Sequence, residues 1–205
     1  QHILSLPCSI LNKSGKMYGG YMDRRQKKTR NAIFDAFIEL LNEKNYNQIT
    51  VGEIIERANV GRATFYAHFE TKDFLLKEIC EELFCHVFDS DTGSDERHEH
   101  IFKCDAPDSV FLHLFQHIKK NDNNIAVLLS CQNNDLFIRY FKENLTALIK
   151  RLNLVDKEKA RSLPYDFIVN HTSSTFIETV RWWLENKMEE STETITKYFL
   201  TLIEN

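Results

Sequence analysis

The stretch VGRATFYAHFETK, residues 60–72, decides how this chain reads. Placed on a helix at about 100° per residue, Phe65 and Phe69 fall within about 40° of each other and mark a buried side. Ala63, Thr64 and Ala67 fall opposite. Arg62 and Tyr66 flank one shoulder of that outer face, and His68 flanks the other. Small residues in the middle let the backbone come close to another surface, and their methyls can meet thymine methyls. Donors at the edges can reach bases and phosphates. The face has the shape of a helix made to enter a major groove.

Working outward, Thr50 and Glu53 have the T-x-x-E spacing of a capping box, so a helix is expected to begin there. It carries Val51, Ile54, Ile55 and Ala58 inward and ends at Asn59-Val60-Gly61. A capped helix, a short turn and a groove-shaped helix make a helix-turn-helix. Upstream, Ile33, Phe34, Phe37, Leu40 and Leu41 form one helical stripe that stops near Asn45, a residue tolerant of the left-handed conformation. Downstream, Thr71 can cap a longer helix through Leu75, Leu76, Ile79, Leu83 and Phe84. The first helix opens on RRQKKTR, with Arg24, Arg25, Lys27, Lys28 and Arg30 as a basic cluster. The formal net charge of −4 averages unlike parts, because residues 1–80 carry +3 and residues 81–205 carry −7. A basic end on an acidic body suits a DNA-facing segment, with Arg24, Arg25 and Lys28 as DNA-binding candidates.

The remainder is periodic at three and four throughout, with no convincing strand alternation. The charged stretch from Ser90 to Asp105 reads as a loop. Helices are expected over about Pro107–Lys120, Asn124–Cys131, Asp135–Leu152, Pro164–Lys187 and Ser191 to the end. The fold class is all-α: a helix-turn-helix domain over residues 23–70 and a helical domain over 71–205. Residues 1–22 are expected to be an upstream extension or a non-native remnant, since Met17 and Met22 both follow the apolar Ile3–Leu11 run. That run has no basic flank of the kind a secretory signal needs. No apolar run nears the ~20 residues of a membrane span. Five cysteines without a C-x-x-C pair suit free thiols in a reducing cytosol, so a cytoplasmic location is expected.

No Walker loop, Rossmann fingerprint or G-x-S-x-G is present, so no enzyme and no cofactor are expected. His113 and His117 stand four apart on one expected helix, and His98, His100 and Cys104 form a looser group. Neither has an H-E-x-x-H or paired-cysteine pattern, and no metal site is assigned to them. A metal-dependent enzyme built on His113 and His117 stays the remote alternative.

The segment ITVGEIIERANVGRATFYAHFETKDFLLKEI, residues 49–79, resembles the DNA-binding motif of TetR/AcrR-family transcriptional regulators. The likeness lies in a Thr-initiated helix, an A-x-V turn, the T-F-Y-x-H-F block and a Lys-x-x-Leu helix start. It covers roughly residues 24–80. Asn59 stands where the family usually has Gly, and Gly61 where it usually has Ser. The resemblance implies that Thr50 contacts a phosphate and that Arg62, Ala63, Thr64 and Ala67 face the groove. Tyr66, His68 and Lys72 would meet the DNA backbone. It implies a homodimer on double-stranded DNA at a near-palindromic operator, most often a repressor answering an unidentified small-molecule effector. The alternative on the same fold is an activator or adaptor that takes a protein partner. Candidate effector contacts are Phe111, Phe115, Phe137, Phe141, His171, Thr175, Glu178 and Trp182. Candidate dimer contacts are Phe167, Arg181, Tyr198, Phe199 and Leu202.

Overall fold

A computed structural model describes residues 24–92, 109–120, 125–130, 135–155 and 163–204, with residues 89–92 and 204 described by backbone alone. Among the described residues every regular element is helical: α1 (Arg24–Glu43), one 3-10 turn (Tyr46–Gln48), α2 (Val51–Arg57), α3 (Arg62–His68), α4 (Lys72–Thr92), α5 (Val110–Lys120), α6 (Ile125–Ser130), α7 (Asp135–Leu152), α8 (Tyr165–Glu185) and α9 (Thr192–Glu204). The all-α expectation stands. Two compact units, residues 1–76 and 77–205, divide the chain within α4.

The first unit is built on the inner stripe of α1, where Ile33, Phe34, Ala36, Phe37, Leu40 and Leu41 are buried. Ile54 of α2 and Phe65 of α3 are fully buried in the same unit, with Ile49 and Phe69 close behind. Each such side chain contributes about 1.5–3 kcal/mol of hydrophobic stabilisation. Phe69 meets Phe34 edge to face with centroids 5.3 Å apart, and the Arg30 guanidinium carbon stands 5.1 Å from both rings. Asn45 does not use the left-handed conformation that it tolerates. Its φ of −61° and ψ of 143° are extended, and it leads into the 3-10 turn. That turn tucks Tyr46 against Phe37, with centroids 6.3 Å apart.

The second unit has an aromatic core. Phe141 of α7 stacks on Phe176 of α8 (centroids 6.2 Å, planes 17°) and meets Phe84 of α4 at 5.0 Å. Phe115 of α5 lies 4.6 Å from Phe176 and 5.8 Å from the fully buried Trp183. The α8–α9 turn takes positive φ at Lys187 and Met188. Lys119 closes that turn by donating to the carbonyls of Met188 (2.8 Å) and Glu190 (3.0 Å), while Trp183 Nε1 also donates to Glu190 O. Pro164 precedes α8, and Ser191 caps α9 by accepting from the Thr194 N–H at 3.1 Å.

Three expectations need correction or fall outside the description. The stretch expected as a loop from Ser90 is helical as far as Thr92, where α4 ends, and residues 93–105 lie outside the described residues. Residues 1–22, His98, His100 and Cys104 lie outside the described residues. Cys80 is a free, buried thiol as expected, but Cys85 is disulfide-bonded. Cys8, Cys104 and Cys131 lie outside the described residues.

Candidate nucleic-acid interface

The capping box at the start of α2 is complete. Thr50 Oγ1 accepts from the Glu53 N–H at 3.3 Å, and Glu53 Oε2 accepts from the Thr50 N–H at 2.9 Å. Lys44 forms an ion pair with the other carboxylate oxygen. Lys44, with the backbone N–H and hydroxyl of Thr50, holds the Glu53 carboxyl down to about 2. Thr50 is exposed, but its hydroxyl is already committed to the cap.

The turn that follows fixes where α3 points. Asn59 N–H donates to Glu56 O and Val60 N–H donates to Ile55 O, both at 3.1 Å. This is a Schellman closure, which needs a left-handed residue at the position of Asn59. Asn59 has φ +51°, so asparagine fills the place where the resemblance expects glycine. Asparagine can do so because its short amide side chain eases the left-handed conformation. Gly61, by contrast, has φ −74° and ψ 151°, which any residue adopts. It caps α3 without a side chain. A Cβ there would meet only Thr64 Oγ1, at an ordinary 3.6 Å.

On α3, Phe65 and Phe69 are the buried anchors, and Arg62, Ala63, Thr64 and Ala67 are exposed. Tyr66 is 48% exposed, large for an aromatic side chain packed over Phe65 at 5.4 Å. His68 is half-buried, and burial first, then the Arg30 cation, pulls its pKa below the ordinary imidazole value. The outer face is small at its centre and donor-bearing at its edge, in the same order as the helical spacing predicts.

Arg24, Arg25 and Lys28 are exposed in the first turns of α1, where no acidic residue stands. A helix N-terminus favours negative charge, and each cation there costs about 0.3–1 kcal/mol at low salt. The basic cluster thus opposes the local dipole. A polyanion laid against it removes that penalty.

Lys72 departs from its expected role. Its Nζ donates to the carbonyls of Tyr46 (3.0 Å) and Ile49 (2.8 Å) and stands 4.3 Å from the Tyr46 ring centroid. Burial lowers its pKa from the ordinary lysine value, opposed by Asp73. The ammonium pins the segment between α1 and α2 rather than projecting freely. Asp73 in turn accepts from the Tyr46 hydroxyl.

The residues expected to meet an effector are not brought together. Phe111, Phe115, Phe137 and Phe141 are buried in the core of the second unit. His171, Glu178 and Trp182 are exposed on the outer face of α8, opposite the buried Phe176, and Thr175 is half-buried between them. Glu178 pairs with Arg181 at 2.9 Å, and His171 stacks on Phe167 with planes 7° apart. Of the expected dimer contacts, Phe167, Tyr198 and Leu202 are exposed, and Arg181 is half-buried. Phe199 is corrected: it is fully buried, 4.7 Å from Phe111 and 5.3 Å from Phe176, because α9 turns Ile195 and Phe199 to the core.

Among the described residues one group could hold a metal: His86, His113 and His117, all buried. The sequence shows the second and third through their spacing. His86 lies on another helix, so no local pattern reveals it. No helix of the described residues is long and apolar enough to cross a membrane.

Residues 33–79 match the model of bacterial regulatory proteins of the tetR family, and residues 105–205 match a transcriptional regulator C-terminal region of that family. A solved TetR transcriptional regulator from Streptococcus agalactiae is 37% identical, with TM-score 0.67, over 88% of this chain and 96% of that one. The HTH-type transcriptional regulator YxbF of Bacillus subtilis is 31% identical over 114 residues, 55% of this chain and 26% of that protein. The dhaKLM operon transcriptional activator DhaS of Lactococcus lactis is 33% identical over 64 residues, 31% of this chain and 34% of that protein. The matched stretches thus span about a quarter to a third of these two curated relatives. With an N-terminal helix-turn-helix and a helical C-terminal unit, the chain belongs to the TetR family of DNA-binding transcriptional regulators.

Proposed function

We propose that this chain is a ligand-responsive repressor that acts in the cytoplasm as a homodimer on a near-palindromic operator. The carrying observation is the outer face of α3, where Arg62, Ala63, Thr64 and Ala67 are all exposed above two buried phenylalanines. Arg62 and Thr64 read base edges, Ala63 and Ala67 permit close approach, and Tyr66 and His68 hold phosphates. Thr50 contributes the α2 end, and Arg24, Arg25 and Lys28 supply the electrostatic footing. Two-fold symmetry sets the recognition helices about one DNA turn, roughly 34 Å, apart. The exposed Phe167 and Trp182 of α8, with Tyr198 and Leu202 of α9, supply the apolar surface that a second copy covers. An effector acts by favouring a spacing that no longer fits adjacent grooves, which needs a differential affinity of a few kcal/mol, on the order of 3–5.

A second reading is favoured by one observation. The rings expected to wall an effector site, Phe115, Phe137 and Phe141, are fully buried among other rings. On that reading the outer face of the second unit receives a protein partner and the chain activates, as the name of DhaS says of that relative. Binding to the operator, measured against salt, tests what both readings share. With about four or five phosphate contacts per subunit, log affinity against log salt falls with a slope of about −7 to −9. A slope near zero removes both.

A further inference from the structure

We propose that His86, His113 and His117 form a binding site for one divalent transition-metal ion of the zinc class. His113 and His117 stand one turn apart on α5 and share a face, and His86 joins them from α4. The ring centroids make a nearly equilateral triangle: 5.1 Å from His86 to His113, 5.0 Å from His86 to His117 and 4.9 Å from His113 to His117. One nitrogen from each ring lies within 4.8 Å of the others, and His113 Nε2 is 3.1 Å from His117 Nε2. Nitrogens bound to a tetrahedral zinc at about 2.0–2.1 Å lie about 3.3 Å apart. Two of the three are therefore at ligand spacing already, and the third closes a gap of at most about 1.5 Å.

A buried histidine pair can be explained by its own hydrogen bond. Three imidazoles around one point, exposed by only 8%, 2% and 1%, make a compact, shielded set of nitrogen donors. Apolar side chains fill the neighbouring positions of the same helix at Phe111, Leu114 and Phe115, so the three imidazoles lie in an otherwise apolar setting. Three nitrogen donors without a thiolate select zinc, cobalt, nickel or copper over calcium and magnesium, and a water completes the coordination sphere. A buried dication needs nearby negative charge. Helical spacing puts Glu82 one turn before His86 on α4. The site stands whether the chain represses or activates.

The test uses the purified full-length protein, stripped with chelator and titrated with Zn2+ or Co2+ alone. One equivalent of Zn2+ per chain is expected to survive dialysis. At a hundredfold excess over its dissociation constant, Zn2+ raises the thermal midpoint by about 5 °C. Co2+ is expected to give an intense visible absorption of a four- or five-coordinate centre. His86→Gln and His117→Gln should each abolish the midpoint shift and the cobalt spectrum. If the buried variants lose helical content, X-ray absorption on zinc-loaded wild type decides, with three imidazole nitrogens at about 2.0 Å expected. No stoichiometric metal, fewer than three imidazoles, or a shift that survives both single variants overturns the proposal.

Discussion

Lys72→Ala separates two roles that one residue can have in a DNA-binding unit. The Lys72 ammonium donates to Tyr46 O at 3.0 Å and Ile49 O at 2.8 Å, and both carbonyls belong to the segment that positions α2. Charge-assisted hydrogen bonds contribute about 1.5–3 kcal/mol each when well shielded. The side chain is only half-buried, and Tyr46 O also accepts from the Ile49 N–H. A combined loss of about 2 kcal/mol follows, or roughly a thirtyfold rise in the opening constant of that segment. Amide hydrogen exchange at Ile54 and Ile55 reads this directly and is blind to the second unit. The same variant should weaken operator binding while leaving the salt slope unchanged, because no phosphate contact is lost. If α2 exchange stays at the wild-type rate and the slope becomes shallower by about 0.9 per chain, Lys72 is a phosphate contact and its structural role is refuted.

Other outcomes follow from the turn and the caps. Gly61→Ser adds a side-chain cap to α3 at a position with negative φ and room for a Cβ, so thermal or urea unfolding should show a gain of about 0.5–1 kcal/mol. Glu53 is held down to about 2, so what its cap and ion pair contribute is fully present above its ordinary value of 4.5 and is lost as pH falls from there toward 2. Exchange protection of α2 should fade across that window in the wild type, and Glu53→Gln should show the loss already at neutral pH and little further change on acidification.

Much of this architecture is legible in the sequence because it is local. The capping box at Thr50 and Glu53, the buried pair Phe65 and Phe69, and the small outer face of α3 all follow from spacings of three and four. Asn59 is legible too, since a left-handed turn residue must be glycine or asparagine there. What escapes is set by contacts between distant elements. The family resemblance implies a DNA-backbone contact for Lys72, yet two carbonyls more than twenty positions earlier accept from its ammonium. Phe199 sits on a helix with an exposed face, and only the packing of α9 against Phe111 and Phe176 shows that it points inward. The effector candidates split for the same reason, as aromatic spacing alone does not tell which side of α8 meets the core. His86 joins His113 and His117 from another helix, beyond any local motif.

The central claim is that Arg62 and its neighbours on α3 read bases. Selection of bound sequences from random DNA, run side by side on the wild type and on Arg62→Ala, tests it most directly. The wild type should yield a near-palindrome, and the variant should lose preference at one position in each half-site, worth about 1–3 kcal/mol. An identical preference in both proteins, or no palindrome from the wild type, contradicts it.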